Sequence, residues 1–295
     1  MRLVIRLMLL SGLLVSVAAA QGSPEDEMFG FVTALQGKSR QARSEFIKTQ
    51  LTKMNAGFFT VPFDYHTVRG GDTLDLGGED IVARVGQGRG RVVVGAHFDA
   101  AEGSPGANDN GSGVAVVLEL IKTLKNYNWN CSIDFVFFDR EENGMIGSQF
   151  YIQRVVNRNR HYGMINLDIE GTGDEVYVGP VGGGDDDFLM PMVRKTAKQT
   201  KYVLRETSFY PPSDFKSFVN MHLENISISV VPKGDAELLT KMTRSGGKID
   251  AKDTPKIMKT IHTPNDRVDQ MTPGALKISY EFTNTLLQML NGSIR

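Results

Sequence analysis

The sequence predicts an α/β protein built on a largely parallel sheet, and three observations carry that expectation. Of 295 residues, 41% are hydrophobic and 23% charged, a balance that supplies a large buried core and excludes a disordered or fibrous chain. From Arg91 onward, β-rich apolar runs alternate with stretches of helical periodicity, and strand, helix, strand is the signature of βαβ units. No repeat or low-complexity segment interrupts the alternation.

Each element follows from its local pattern. Residues 1–20 place Arg2 and Arg6 ahead of an apolar run from Leu7 to Ala20 that ends in small residues, the three parts of a secretory signal peptide. That run is shorter than the roughly 20 residues a membrane-spanning helix needs, so export to the periplasm or medium is expected, with no permanent membrane anchor. The mature domain is then 21–295. Between Met28 and Met54 the apolar positions recur at helical spacing around a polar stretch near Gly37, predicting one or two amphipathic helices. FFTVPFDY, DIVARV and RVVVGAHF read as strands separated by Gly-containing turns. The segment Gly111 to Asn126 sets Val114, Val117, Leu118, Ile121 and Leu124 on one helical face. Beyond it, SIDFVFF, YGMINL, EVYVG and SISVV read as strands. SQFYIQRVV, DFLMPMVRKTAKQ and a last segment from near Pro273 to Leu290 read as helices. Residues 232–260 are polar, Lys-rich and without strong periodicity, so a long loop or lid is expected there. Too little chain follows for a second core, which leaves one domain with an excursion.

Charge and cysteine content narrow the function. Lys plus Arg total 33 against 34 for Asp plus Glu, with no block of like charge, so nucleic acid and acidic membranes are not expected partners. Cys131 is the single cysteine, which excludes an intrachain disulfide and a cysteine-based zinc site. Any metal must be held by His and carboxylates.

The candidates for that work gather at strand ends. His97 and Asp99 follow the apolar run RVVV, Asp109 precedes a helix, Glu141 and Glu142 follow DFVFF, and Asp168 ends INLD. In open α/β sheets, ligands bind at the carboxyl edge of the strands. Carboxylates converging there repel one another, and a cation is the simplest way to hold them together. A His with several carboxylates and no Cys fits a catalytic zinc site or a two-metal site better than a structural one.

GAHFDA, GANDNGSGVAVVLEL, FFDREENGMIGS, INLDIEG and TIHTPNDRVD stand in the order and spacing of the M28 metallopeptidase family, which this chain resembles from Ile81 to its C-terminus. The resemblance implies a zinc exopeptidase-like fold, a single domain with a mixed, mostly parallel central sheet flanked by helices, and two zinc ions per chain. It implies that His97, Asp109 and Asp168 bind one zinc, and that the bridging Asp109, Glu142 and His262 bind the other. Glu141 would be the general base that lets a metal-bound hydroxide attack the carbonyl of a peptide substrate. Beside it, Asp99 is placed to accept the second N–H of His97 and fix its tautomer. Tyr210 stands where related aminopeptidases carry an oxyanion donor. The family often reads Ser-Asp-His where this chain has Ser213, Asp214 and Phe215, a departure that bears on substrate contacts.

An exported zinc aminopeptidase is the reading that results. Two alternatives stand beside it: a glutaminyl cyclase-type acyltransferase with a single zinc, and a non-catalytic binding domain of the same fold. Lys233, Lys241, Arg244 and Lys248 are expected to be solvated, and His66, His161 and His222 to be structural or exposed. GQGRGR, RSGGKI and NGSGV lack the spacing of a dinucleotide loop, a P-loop and a nucleophile elbow.

Overall fold

Ser23 starts the first helix, its Oγ accepting the Asp26 N–H at 3.2 Å while the Asp26 carboxylate accepts the Ser23 N–H, with Pro24 at the first helical position. The protein is seen here in a computed structural model that describes residues 22–182 and 188–294. The expected signal peptide, residues 1–20, lies outside the described residues.

In chain order the elements are α1 (Pro24–Leu35), α2 (Arg40–Lys53), β1 (Phe58–Phe63), β2 (His66–Arg69), β3 (Asp72–Asp75), β4 (Gly78–Val85) and β5 (Arg91–His97). There follow α3 (Gly113–Leu124), β6 (Ser132–Phe138), α4 (Ile146–Arg154), β7 (His161–Leu167), β8 (Glu175–Gly179) and α5 (Leu189–Thr200). The chain closes with β9 (Val203–Glu206), α6 (Phe215–Asn220), β10 (Asn225–Val231), α7 (Asp235–Arg244) and α8 (Ala275–Ser293).

Eight strands form one sheet in the order β1-β4-β6-β5-β7-β10-β8-β9, while β2 and β3 make a separate hairpin. Pairing is parallel through β6, β5, β7 and β10 and again between β8 and β9; β1 with β4, β4 with β6, and β10 with β8 are antiparallel. The sheet is therefore mixed with a parallel centre. Val92, Val94 and Ala96 of β5 face one core with α1, α3, α5 and α8, while Val93 faces a second core with α4, α6 and α7. Strands buried on both faces read as continuous apolar runs, which is why RVVV, SIDFVFF and GMINL are legible. In register, His97 sits beside Phe138, and Gly95 beside Asn166. The next residues of β6 and β7 thus leave the sheet at the same edge as His97.

Residues 232–260, expected as a long loop or lid, carry regular structure that the expectation did not include. They contain α7 and two 3-10 turns, Ala251–Asp253 and Ile257–Lys259. Ala236 and Leu239 are buried on one side of α7, and Met242 continues that face. The hairpin, β9 and the six-residue α6 were not expected. No helix among the described residues is long and apolar enough to cross a membrane.

One buried acid makes fold stability depend on pH. Glu119 on α3 is 1% exposed, and its Oε2 lacks a hydrogen-bond partner, with Lys122 Nζ at 3.6 Å. Burial raises its pKa from 4.5 to about 7. The folded state holds the proton more tightly than the unfolded chain, so this contribution is complete below about pH 4.5 and is lost as pH rises through about 7. Glu119→Gln should therefore match wild type at pH 4.5 and melt higher at pH 8, by about 2 to 4 °C for each kcal/mol recovered. Equal melting shifts at both pH values would show that burial does not perturb Glu119.

Candidate active site

Three adjacent strand ends and one distant loop build the site. β5 delivers His97, β7 is followed by Asp168, and the turn after β6 carries Glu141 and Glu142. Asp109 lies in the irregular segment 107–112 ahead of α3, with extended backbone angles, φ −111° and ψ 95°. His262 comes from the far end of the 232–260 excursion and has φ 55°.

Asp109 is the centre of the arrangement. Its Oδ1 lies 3.2 Å from His97 Nε2 and its Oδ2 lies 2.9 Å from His262 Nε2. His97 Nε2 is also 3.5 Å from Asp168 Oδ1, and His262 Nε2 is 3.3 Å from Glu142 Oε2. His97, Asp109 and Asp168 form one group with ligand atoms within 4.8 Å of one another, and Asp109, Glu142 and His262 form a second. A third group, His97 with Glu141 and Glu142, overlaps both. All the metal-ligand residues anticipated from sequence are thus brought together, with Asp109 shared.

The electrostatics are those of carboxylates crowded around two imidazoles. Burial works against a charged His97, yet the Asp168 charge and hydrogen bonds to Asp109, Asp168 and Asp99 outweigh it and hold the imidazole well above its usual range. Burial likewise opposes ionisation of Asp109, but hydrogen bonds from His262 and His97 bring its carboxyl below the usual range. Hydrogen bonds to Asp109 and Glu142 raise His262 to about 11. Glu141 is pushed well above the ordinary carboxylate range by burial, with Asp214, Asp168 and Asp109 adding to the push against His97. Glu142 Oε1 is buried without a hydrogen-bond partner. An unpartnered buried carboxylate oxygen is costly, and oxygen and imidazole donors aimed at one point fit zinc.

Asp99 does more than sequence reasoning assigned to it. Its carboxylate Oδ1 is 3.5 Å from His97 Nδ1, but the Asp99 carbonyl is closer to that nitrogen, at 3.3 Å. The carboxylate is committed to the glutamates: Oδ1 accepts from Glu141 N–H at 3.0 Å and Oδ2 from Glu142 N–H at 3.1 Å. Tyr210, set in a Pro-rich loop, is 6% exposed, stacked on Tyr177 at 4.8 Å and edge-on to Phe215 at 5.8 Å. Ser229 Oγ donates to the Asp168 carbonyl, so its one hydrogen is used and the Tyr210 hydroxyl donates to Ser229. Phe215, the departure from the family pattern, is buried packing beneath Tyr210.

Other supporting residues escaped sequence reasoning. Asp266, inside the TPNDRVD motif, accepts from the backbone N–H of Asn108 at 2.8 Å and of Asp109 at 3.1 Å. Arg43 of α2, 1% exposed, donates to the carbonyls of Phe98, Pro105 and Gly106. Gly106 permits that approach, since a Cβ there would lie 2.6 Å from Arg43 Nη2. Nothing in SRQARSEF marks Arg43 as different from a surface arginine. Asp214 is fully buried and raised to about 7 by burial. His161 and His222 lie away from the cluster, hydrogen-bonded to Asn157 and exposed respectively, and His66 pairs loosely with Asp75 at 3.9 Å. Lys233, Lys241, Arg244 and Lys248 are all exposed.

A cavity of about 260 Å³ opens from the acidic groups. One end is His97, Asp109, Glu141 and Asp168; the other is apolar, with Val231, Leu239, Met242, Ile257 and Ile261.

A parallel-centred sheet with two carboxylate and imidazole triads at its carboxyl edge is the architecture of a metallohydrolase. Residues 80–286 match peptidase family M28, and the chain belongs to that family. It is 29% identical over 192 residues to aminopeptidase YwaD of Bacillus subtilis, covering 63% of this chain and 38% of the relative. With leucine aminopeptidase 2 of Trichophyton equinum it shares 26% identity over 143 residues, covering 45% of this chain and 29% of that protein. The chain thus matches well under half the length of these curated relatives. Among solved structures, the zinc aminopeptidase BSAP of Bacillus subtilis superposes with a TM-score of 0.72 at 15% identity, over 90% of this chain and 95% of that one. A glutaminyl cyclase of Porphyromonas gingivalis superposes with a TM-score of 0.69 at 20% identity, over 90% and 98%. Both likenesses establish the fold.

Proposed function

We propose that this chain is an exported aminopeptidase that holds two zinc ions and releases apolar N-terminal residues from peptides. The observation that carries the reading is the division of Asp109, one oxygen toward His97 and the other toward His262. A carboxylate so placed serves two cations about 3.5 to 4 Å apart. His97 and Asp168 complete one position, and Glu142 and His262 the other. When bound, zinc supplies Lewis acidity to a water molecule and to the peptide carbonyl.

The remaining work falls to the protein's own groups. Glu141 lines the cavity beside the ligands, takes the proton from the attacking water and returns it to the leaving amine. Asp99 fixes the backbone of both glutamates so that they divide these duties. The Tyr210 hydroxyl donates to the developing oxyanion once it exchanges its Ser229 partner; a Tyr210→Phe variant with unchanged kcat would remove it from the mechanism. Apart from His262, the lining beyond the acidic end carries no charged group among the described residues, which favours an apolar first side chain. Export rests on residues 1–20, and a first residue near Gln21 on protein recovered outside the cytoplasm tests it.

Zinc stoichiometry measured together with product analysis on a mixed peptide panel decides between the enzyme readings. The expected result is about two zinc per chain with release of free Leu, Met and Phe from N-termini. One zinc, with cyclisation of N-terminal Gln and no amino acid released, would establish the cyclase reading instead.

A further inference from the structure

The 232–260 excursion joins two parts of the site that could have been independent. Its α7 contributes Leu239 and Met242 to the apolar end of the cavity, and the strap that follows contributes Ile257, Met258 and Ile261. The residue after Ile261 is the ligand-bearing His262. Its side chain is 52% exposed, so little packing holds it and its backbone must.

That backbone hangs from Ile257. The Ile257 carbonyl accepts from the N–H groups of Thr260 and Ile261, both at 3.1 Å, and from Thr260 Oγ1 at 2.9 Å. Its N–H donates to Asp235 Oδ2 at 2.9 Å, a buried hydrogen bond between the first residue of α7 and the strap. Asp235 is 1% exposed. A second tie between α7 and the strap, Lys241 with Asp253 at 2.5 Å, is solvent-exposed on the lysine side, where water screens an ion pair and leaves it little hold on the chain. The Asp235 bond is the one placed to fix the strap.

We propose that Asp235 is a positioning residue that couples the apolar wall of the cavity to the metal ligand His262. Through the Ile257 N–H it sets Ile257, Met258 and Ile261 against the substrate side chain, and through the Ile257 carbonyl it sets the peptide that carries His262. Side-chain selection and occupancy of the His262 metal position then share one support. The substrate readout rests on the aminopeptidase reading; the zinc and exchange readouts do not.

Asp235→Ala and Asp235→Asn, each checked for folding by melting, test the coupling. Losing a buried hydrogen bond to a charged group is worth about 10-fold or more, so Asp235→Ala should lower the preference for Leu-first over Ala-first peptides by about that factor. Asp235 reaches His262 only through the backbone of the strap, so zinc at limiting concentration should fall from about two toward about one per chain. Asp235→Asn keeps an oxygen that can accept the same N–H and should restore most of both. Wild-type preference and zinc content in Asp235→Ala would overturn the proposal, as would equal loss in both variants. Hydrogen exchange on the wild-type protein tests the coupling even where Asp235→Ala does not fold. Coupling is reciprocal, so zinc should slow exchange of the Ile257 amide, and no change with zinc would overturn the proposal. A wild-type protein that releases no amino acid would refute the aminopeptidase reading while leaving the zinc and exchange tests in force.

Discussion

Glu141→Gln is expected to keep its zinc and lose peptide turnover by about 10² to 10⁴-fold, the range for removal of a general base. Gln is close to Glu in shape, and the Glu141 N–H that Asp99 holds at 3.0 Å is untouched by the change. What disappears is the oxygen able to take a proton. Glu142→Gln should behave differently, because Glu142 Oε2 stands 3.3 Å from His262 Nε2 in the second ligand group and Oε1 is buried without a partner. Replacing that carboxylate weakens a ligand, so metal and activity should fall together. Zinc content and hydrolysis measured side by side check the assignment: if Glu141→Gln shed metal while Glu142→Gln retained it, the two roles are exchanged. Little change in either variant would place both glutamates outside the chemistry.

Asp109→Asn should have the largest effect of any single substitution. The amide keeps one oxygen but loses the charge and the second acceptor, and both ligand groups contain this residue. Loss of the metals removes several kcal/mol of charge stabilisation, equivalent to at least about 10³-fold in rate. Chelation of the wild-type protein should reproduce that loss and also lower its melting temperature, since a ligand bound only by the folded state stabilises it. A variant with wild-type zinc content would show that Asp109 does not bridge.

The parts of the fold that are legible in sequence are those where burial is total. Strands β5, β6 and β7 are covered on both faces and appear as unbroken apolar runs, and the groups at their ends can be read as one edge of a sheet. Helix α7 is hidden because Leu239 and Met242 sit among Lys241, Thr243, Arg244 and Glu237, so its apolar face is a narrow stripe in a polar window. The hairpin of β2 and β3 is hidden for the opposite reason: Val68 is 68% exposed and its partners show no alternation to read. At the site, the candidate metal-ligating residues carry chemistry in their type and spacing. Arg43, Asp235 and Asp266 act by hydrogen bonds to backbone far away in the chain, and such bonds leave no pattern in sequence.

The wide separation of His97 and His262 along the chain bears on how the protein matures. A zinc site built from closely spaced ligands can capture its ion early and template the fold around it. Here His97 leaves β5, Asp168 follows β7, and His262 stands beyond α7 and the strap in the chain, at the end of a strap tied to α7 through Asp235. Loop-closure entropy must be met before contacts of such separation form. The ion is therefore expected to load onto a structure already assembled. Refolding should proceed at the same rate with or without zinc, and the metal should act instead on unfolding, which it slows because its bonds are absent from the transition state.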